Sequence, residues 1–566
     1  MTIVRLLRSV LAPRPASRTR PRAIRLAVEQ LEDRLTPSTG GVLDPTFGSG
    51  GQLFSSFSNN WDGANAVVAQ PDGKIVIAGG FNPLNSKTGS DFLLARYNAD
   101  GTLDTSFGSG GHTVTDFGSS GDNANAVALQ PQADGTSKIL VAGMTASKKG
   151  IGEVALARYN ANGTLDTTFG TNGKVITSLG GSATEWVTAM AVDSSGRILV
   201  AGYTNGNPNV SGDAATVLRY TANGALDTSF GSGGKLITNV RILVHADHSV
   251  GIALQPDGKI VLASQTLDSA ASAWEFITAR FNTNGTTDST FGSGGVVTTH
   301  VGNSDEFGGV AVQGDGKIVV GGSEMGGSPF AYYLLRYNAD GSLDANFGTG
   351  GTVAVQAPGG FPIDVRSSEV VIQADGKILA EGEFGDAARQ YNHLGAVRVN
   401  PDGSVDTGYG NGGWASAPFG NADVQAIALE PDGRLLLAGI GYPIGISRPK
   451  DVFLVRFLGS APQVGSFTAS PNPVPSGGST TLTASNITDG NPGATVTQVA
   501  FYLDSNGDGV LDAGDTLLGD GSADGLGNWL LNVSTAGWSA TDLVFAQAED
   551  SDGVFGDPDP LTLTVQ

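Results

Sequence analysis

The residues best suited to chemistry lie near the C-terminus, in Asp504-Ser505-Asn506-Gly507-Asp508-Gly509-Val510-Leu511-Asp512-Ala513-Gly514-Asp515. Oxygen-bearing side chains stand at its first, third and fifth positions, glycine follows at the sixth, and an acid closes the twelfth. Calcium binds hard oxygens, and this spacing wraps a short loop around one ion. Asp504, Asn506 and Asp508 would offer side-chain oxygens, and Val510 its carbonyl. Asp512 would bind directly or through water, and Asp515 would complete the shell. Gly509 permits the sharp turn. Asp515 is shorter than the usual Glu, which leaves two-oxygen closure open. The competing reading is an acidic β-turn loop that holds no ion.

A second acidic pattern is spread along the chain. Asp62, Asp122, Glu185, Asp247 and Asp305 each stand nine positions before a recurrent turn, and Asp364 and Asp423 are displaced from that spacing by one. Such acids either surround a common axis and hold a cation, or accept backbone N–H bonds where a strand begins. Of the five histidines, His112, His245, His248, His300 and His393, only His245-Ala246-Asp247-His248 clusters. That spacing suits metal ligation or a plain surface loop. The chain has no cysteine, which excludes disulfides and thiolate catalysis. It has no nucleophile elbow, phosphate-binding loop or zinc-protease motif. A carboxylate dyad for glycoside hydrolysis stays open, because it is defined by separation rather than spacing.

These residues are positioned by a repeat. The segment Leu43-Asp44-Pro45-Thr46-Phe47-Gly48 recurs with its aromatic at Phe107, Phe169, Phe230, Phe291, Phe347 and Tyr409. A turn keeps phase with it: Pro71-Asp72-Gly73-Lys74, Asp134-Gly135, Ser195-Gly196-Arg197, Pro256-Asp257-Gly258-Lys259, Asp315-Gly316-Lys317, Asp375-Gly376-Lys377 and Pro431-Asp432-Gly433-Arg434. In the first unit, Ala64–Gln70, Lys74–Gly80, Phe92–Tyr97 and Gly111–Phe117 read as four short strands, and Asp72-Gly73 as a hairpin turn. Four strands per unit make one propeller blade. The marker Phe and Leu are expected to wedge between blades, and its Asp to accept turn N–H groups. The chain starts with a marker and strand, Gly51–Phe57, and its seventh unit ends at Asp451–Phe457. The spare first strand can therefore complete the last sheet and remove two open edges. The fold class expected is all-β, a seven-bladed β-propeller closed by the N-terminal strand, plus a C-terminal sandwich.

The marker and the Pro-Asp-Gly-Lys-Ile turn resemble the delta-60 repeat, a propeller-type repeat of large exported bacterial proteins, over residues 41–459. The resemblance implies a fold and no particular activity. Thr287 and Tyr409 depart from the marker's Leu and Phe.

Residues 1–40 are rich in Arg, Pro and Ser, with eight arginines among the first 34 residues. The run Val28–Pro37 resembles a short motif that opens many exported bacterial proteins. This segment reads as a targeting segment or a disordered basic tail. Gly459-Ser460-Ala461-Pro462 breaks the repeat. Residues 463–566 then show about seven short strands, and residues 460–566 resemble an Ig-like β-sandwich carrying the calcium loop.

Net charge is −22, and the basic start makes the remainder more acidic still. That repels phosphate backbones, so no nucleic-acid partner is expected. No apolar run is long enough for a transmembrane span. The repeated turns share one face. The unlike loops share the other: 81–90, 144–152, 203–213, 265–273, 323–329, 383–394 and 441–450. Loops that differ are free to serve a ligand. The function expected is a secreted or cell-surface binding, adhesion or scaffold protein. Its ligand would be an extracellular polysaccharide or protein, and Ca2+ its cofactor. The alternative is a propeller enzyme acting on extracellular glycans or polymers.

Overall fold

The computed structural model describes residues 40–566 apart from 59, 85–88, 119–120, 148, 181–183, 206–211, 243–249, 269–272, 303–304, 325–330, 357–362, 365–368, 386–391, 420, 443–449, 490–494, 508, 510, 512–513, 552–554 and 557. Among the described residues every regular element is a strand, and no helix is long and apolar enough to cross a membrane.

The first repeat unit shows how the sequence makes a sheet. Trp61–Ala69 turns at Asp72-Gly73 into Ile75–Asn82. Gly73 has φ 77°, a region costly for a residue with a Cβ, and Asp72 Oδ1 accepts the Lys74 N–H at 3.2 Å. Asp91–Tyr97 follows, and His112–Thr115 forms the outer edge. The two middle strands are buried almost throughout, because neighbouring sheets cover both their faces. That explains why they read as continuous apolar runs instead of alternating ones. The outer strand is shorter than the seven residues expected.

Among the described residues the same antiparallel order recurs through seven sheets between Gln52 and Phe457, six of four strands and one of five in which the inner strand is split in two. Their inner strands are Trp61–Ala69, Asn123–Pro131, Glu185–Val192, Val250–Leu254, Asp305–Val312, the split pair Ile363–Asp364 and Val370–Ile372, and Asn421–Leu429. Each inner strand contacts the next, and Asn421–Leu429 contacts Trp61–Ala69, so the series closes on itself. The last sheet takes its outer strand from the N-terminus. Gln52–Ser55 pairs with Asp451–Phe457 in the register Gln52↔Val455 to Ser55↔Val452, as the phase of the repeat implies.

Five inner strands carry a bulge at one equivalent place, between Ala64 and Ala66, Ala124 and Ala126, Val187 and Ala189, Phe307 and Gly309, and Val424 and Ala426. The extra residue is turned out of the ladder. It can then reach sideways. Asn65 Nδ2 donates to the Ala124 carbonyl, Asn125 Nδ2 to Val187, each at 2.8 Å, and Thr188 Oγ1 to Val250 at 2.6 Å. Inner strands of adjacent sheets are thus joined by side chain to backbone.

Beyond the break at Gly459, eight strands make two further four-stranded sheets. One contains Ser466–Ser470, Ser479–Ser485, Ser522–Ala523 and Trp529–Ser534. The other contains Val496–Leu503, Thr516–Asp520, Thr541–Asp550 and Asp559–Thr564. Phe467, Leu482 and Val533 from the first share one core with Phe501, Val544 and Leu563 from the second.

Candidate functional site

The repeat marker proves to be a latch between sheets. Arg158 Nε bonds Asp166 Oδ2 at 3.0 Å, its guanidinium lies 4.7 Å above the Phe169 ring, and its Nη1 donates to the Ala222 carbonyl of the next sheet at 2.6 Å. Arg96, Arg219, Arg280, Arg336, Arg398 and Arg456 stack on their own marker aromatics in the same way. The marker Asp does accept turn groups, as expected: Asp166 Oδ1 takes the Thr168 N–H at 3.1 Å and its hydroxyl at 2.7 Å. Its larger role is the ion pair. Burial raises the Asp166 carboxyl, but Thr168, Arg158 and Lys138 outweigh burial and hold it below the usual carboxylate range. The marker Phe wedges against the next sheet's turn. A Cβ on Gly163 would lie 2.9 Å from the Phe107 ring, and Gly163 has φ 83°, so only glycine fits. At the seam Gly40 takes the place of the missing turn and accepts the Gly410 N–H at 2.7 Å.

The acids nine residues before each turn serve the backbone. Asp62 Oδ2 accepts the N–H groups of Phe57 and Ser58 at 2.8 and 2.5 Å. Asp122 accepts Phe117 at 2.6 Å, Glu185 accepts Leu179 at 2.7 Å, and Asp305 accepts Val301 and Gly302 at 3.0 and 2.8 Å. Asp423 pairs with Lys450. Asp247 and the side chain of Asp364 lie outside the described residues, as does His245-Ala246-Asp247-His248. The cavity on the axis, about 230 Å³, is walled by six of the inner strands, and the described acids Asp62, Asp122, Glu185, Asp305 and Asp423 are absent from its lining. Its lining instead includes Glu369, whose Oε2 accepts the Ile427 N–H at 3.0 Å.

Some of these acids have acidic neighbours that sequence reasoning missed. Asp91, Asp116 and Asp122 bring carboxylate oxygens within 4.8 Å of one another. Burial, and then Glu153, push Glu185 up to about 7. Glu275 is raised by burial first and then by Asp268 and Asp305. The available signal was an acid five residues before the latch arginine, at Asp91, Glu153, Glu275 and Asp451. The latch arginines were also missed, although each stands eight residues before its marker Asp at Arg96, Arg158, Arg219, Arg280, Arg336 and Arg398.

Six stretches match a family model described as a domain of unknown function (DUF5122) beta-propeller: residues 70–107, 132–169, 194–230, 255–291, 313–347 and 373–409. Residues 176–208 match a second, described as a beta-propeller repeat. The repeated part of the chain is a β-propeller. Each DUF5122 match ends at a marker aromatic, or within a residue of it, after the latch. No curated protein matches the chain. Similar solved structures include a fungal alcohol oxidase of the AA5 family, at 14% identity and TM-score 0.39, covering 91% of this chain and 98% of that one. A protein of unknown function from Dyadobacter fermentans has 13% identity and TM-score 0.36, with 72% and 98% covered. The polysaccharide lyase Uly1 has 12% identity and TM-score 0.38, with 72% and 93% covered.

On the propeller's variable-loop face the described residues stop short of most loop tips. The strand ends there carry partly exposed aromatics, namely Trp61, Trp274, Tyr333, and Trp186 stacked on its cross-strand partner Tyr203 at 4.8 Å and 11°.

In the C-terminal sheets, Asp508, Val510 and Asp512 lie outside the described residues. Asp504 and Asp515 fold inward on their own loop. Asp504 accepts the Gly507 and Gly509 N–H groups at 2.6 and 3.0 Å, and Asp515 accepts Ser505 at 3.0 Å. Leu511 anchors the loop in a small cluster with Tyr502 and Phe545. Asn506 is exposed. The ligand atoms the motif would offer are carboxylate, amide and backbone carbonyl oxygens, which suit calcium and no softer metal.

Proposed function

We propose that the chain is an exported, secreted or cell-surface bacterial protein that binds an extracellular polysaccharide without transforming it. In this reading residues 41–459 are a seven-bladed β-propeller of the delta-60 type, and residues 460–566 an Ig-like β-sandwich stiffened by Ca2+ held at Asp504, Asn506, Asp508, Val510, Asp512 and Asp515. Residues 1–40 direct export.

The observation that carries the reading is the contrast between the two faces. One face spends its polar groups on its own turns and latches. The other presents Trp61, Trp274 and the Trp186–Tyr203 stack at the base of unlike loops. Flat aromatic faces take up the C–H faces of sugar rings, and the flanking loops supply hydrogen bonds. The acidic body favours neutral or cationic polymers over polyanions.

The test is retention of the full chain on a panel of neutral and anionic polysaccharides, with Trp186→Ala/Tyr203→Ala alongside. Retention by at least one neutral polymer, weakened about tenfold or more in the double variant, supports the reading. Equal retention of both proteins, or release of modified polymer by the wild type, overturns it.

A further inference from the structure

At the seam where the ring closes, one residue departs from its equivalents. The position just before the inner hairpin turn holds Gln70, Gln130, Gln255, Gln313 and Gln373 in five sheets, Asp193 in a sixth and Glu430 in the last. The glutamine can tie the latch arginine to the next sheet. Gln130 Oε1 accepts Arg158 Nη1 at 3.0 Å, and its Nε2 donates to the carbonyl of Gly196 in the following turn at 2.7 Å. Gln255 meets Arg280 and Gly316 in the same two ways, at 3.4 and 2.6 Å. At the seam the following turn is that of Gly73. A Cβ at Gly73 would lie 3.6 Å from that of Ala99, as one at Gly196 would lie 3.5 Å from that of Ala222. Glu430 is buried and accepts Arg456 Nη1 at 3.5 Å on Oε1 and 3.3 Å on Oε2. Ionised, it has no hydrogen to give a carbonyl; protonated, it has one.

The arginines around Glu430 are matched without it. Arg456 pairs with Asp44 of the N-terminal marker at 2.8 Å, and Arg434 with Asp432 at 2.6 Å. The first sheet brings Asp72 and Lys74 on the turn that holds Gly73, and Asp100 beside Ala99; Lys74 pairs with Asp104 at 3.2 Å. An ionised Glu430 is therefore a surplus buried anion that competes with Asp44 for Arg456. Burial pushes its carboxyl up to about 7, with Asp432 adding to the rise and Arg456 and Arg434 opposing it. We propose that Glu430 is a proton-operated latch on the closing seam. Protonated, it bridges Arg456 to the Gly73 carbonyl as glutamine does elsewhere; ionised, it draws Arg456 from Asp44 and loosens the N-terminal strand. The device depends neither on ligand binding at the variable-loop face nor on the calcium loop.

The closed seam keeps the proton to higher pH than the open one, where Glu430 returns toward its ordinary value. Closure is therefore favoured at low pH, and that advantage is lost as pH rises through the raised value. Hydrogen exchange of the full chain, read by mass spectrometry and corrected for the intrinsic pH dependence of exchange, follows opening of Gln52–Ser55. Opening is expected to rise about tenfold or more from about pH 5.5 to about pH 8.5. Glu430→Gln restores the glutamine of the other sheets; it should abolish the rise and leave opening at about pH 5.5 little changed. Gln130→Glu installs the acid at an ordinary junction and should add a rise at the equivalent outer strand, Lys174–Thr177, relative to wild type. Opening of Gln52–Ser55 that ignores pH in the wild type, an undiminished rise in Glu430→Gln, or wild-type behaviour of Gln130→Glu would each overturn the proposal.

Discussion

At the scale of single residues, the chain repeats one solution to one problem. A propeller sheet must hold its neighbour through its rim, and a single arginine does so in several ways at once. Arg158 meets a carboxylate, an aromatic ring and a carbonyl of the adjoining sheet. Both partners of the ion pair are nearly buried, with side-chain exposures of 9% and 6%. Removing Asp166 strands a buried guanidinium without its counter-charge. Asp166→Ala is therefore expected to cost about 3 kcal/mol, read from the urea unfolding midpoint; a loss under about 0.5 kcal/mol would show the latch to be ornamental. The Asp166 carboxyl is held below its unfolded value, so its stabilisation is in force above about pH 4 and fades as pH falls through the lowered value. The variant's deficit should shrink in the same window. The marker Asp and Phe were legible in the sequence because they recur with few alternatives. The latch arginine was not, because in a run such as Leu93-Leu94-Ala95-Arg96-Tyr97 it reads as the polar end of an ordinary strand.

At the scale of elements, the turns were the most legible part. Asp-Gly and Asn-Gly steps need positive φ at glycine, and those glycines have it. The bulges were not legible. An inner strand such as Ala64-Asn65-Ala66-Val67 alternates well enough to look regular, and only the backbone shows Asn65 leaving the ladder. The split sixth inner strand was missed for the same reason. The role of the first strand was readable from phase alone, since the chain holds one marker and one strand ahead of its first complete unit. Its weight can be tested by truncation. A chain starting at Gly40 keeps the bonds of Gly40 and Gly41 and is expected to melt with the full protein. A chain starting at Trp61 loses Gln52–Ser55 and the Asp44–Arg456 pair at 2.8 Å, and exposes a sheet edge. It is expected to melt roughly 10 °C or more lower, or to aggregate; equal melting of the two would remove the closing role.

At the scale of the whole molecule, the all-β architecture and its propeller repeats follow from periodicity, which ends at Gly459. Of the two readings open for the spaced acids, the local one holds among the described residues: Asp62, Asp122, Glu185 and Asp305 accept N–H groups of the segment just before them, and Asp423 pairs with Lys450. Spacing along a chain reports register, and direction depends on the backbone that precedes it. The proposed division also predicts how calcium acts. Chelation should lower the melting of the C-terminal sheets by several degrees and leave the propeller transition in place, as seen by calorimetry with and without EGTA. Loss of both transitions together, or of neither, would contradict a calcium loop confined to residues 504–515.

The pairing of Gln52 with Val455 has a temporal consequence. The first strand among the described residues is the last to find its mate, and some four hundred residues must be synthesised before that mate exists. Local hairpins form early; the circle as a whole commits only when both ends are present. A protein built so has a natural delay between emergence and completion, and the Gln52–Ser55 strand sets its length.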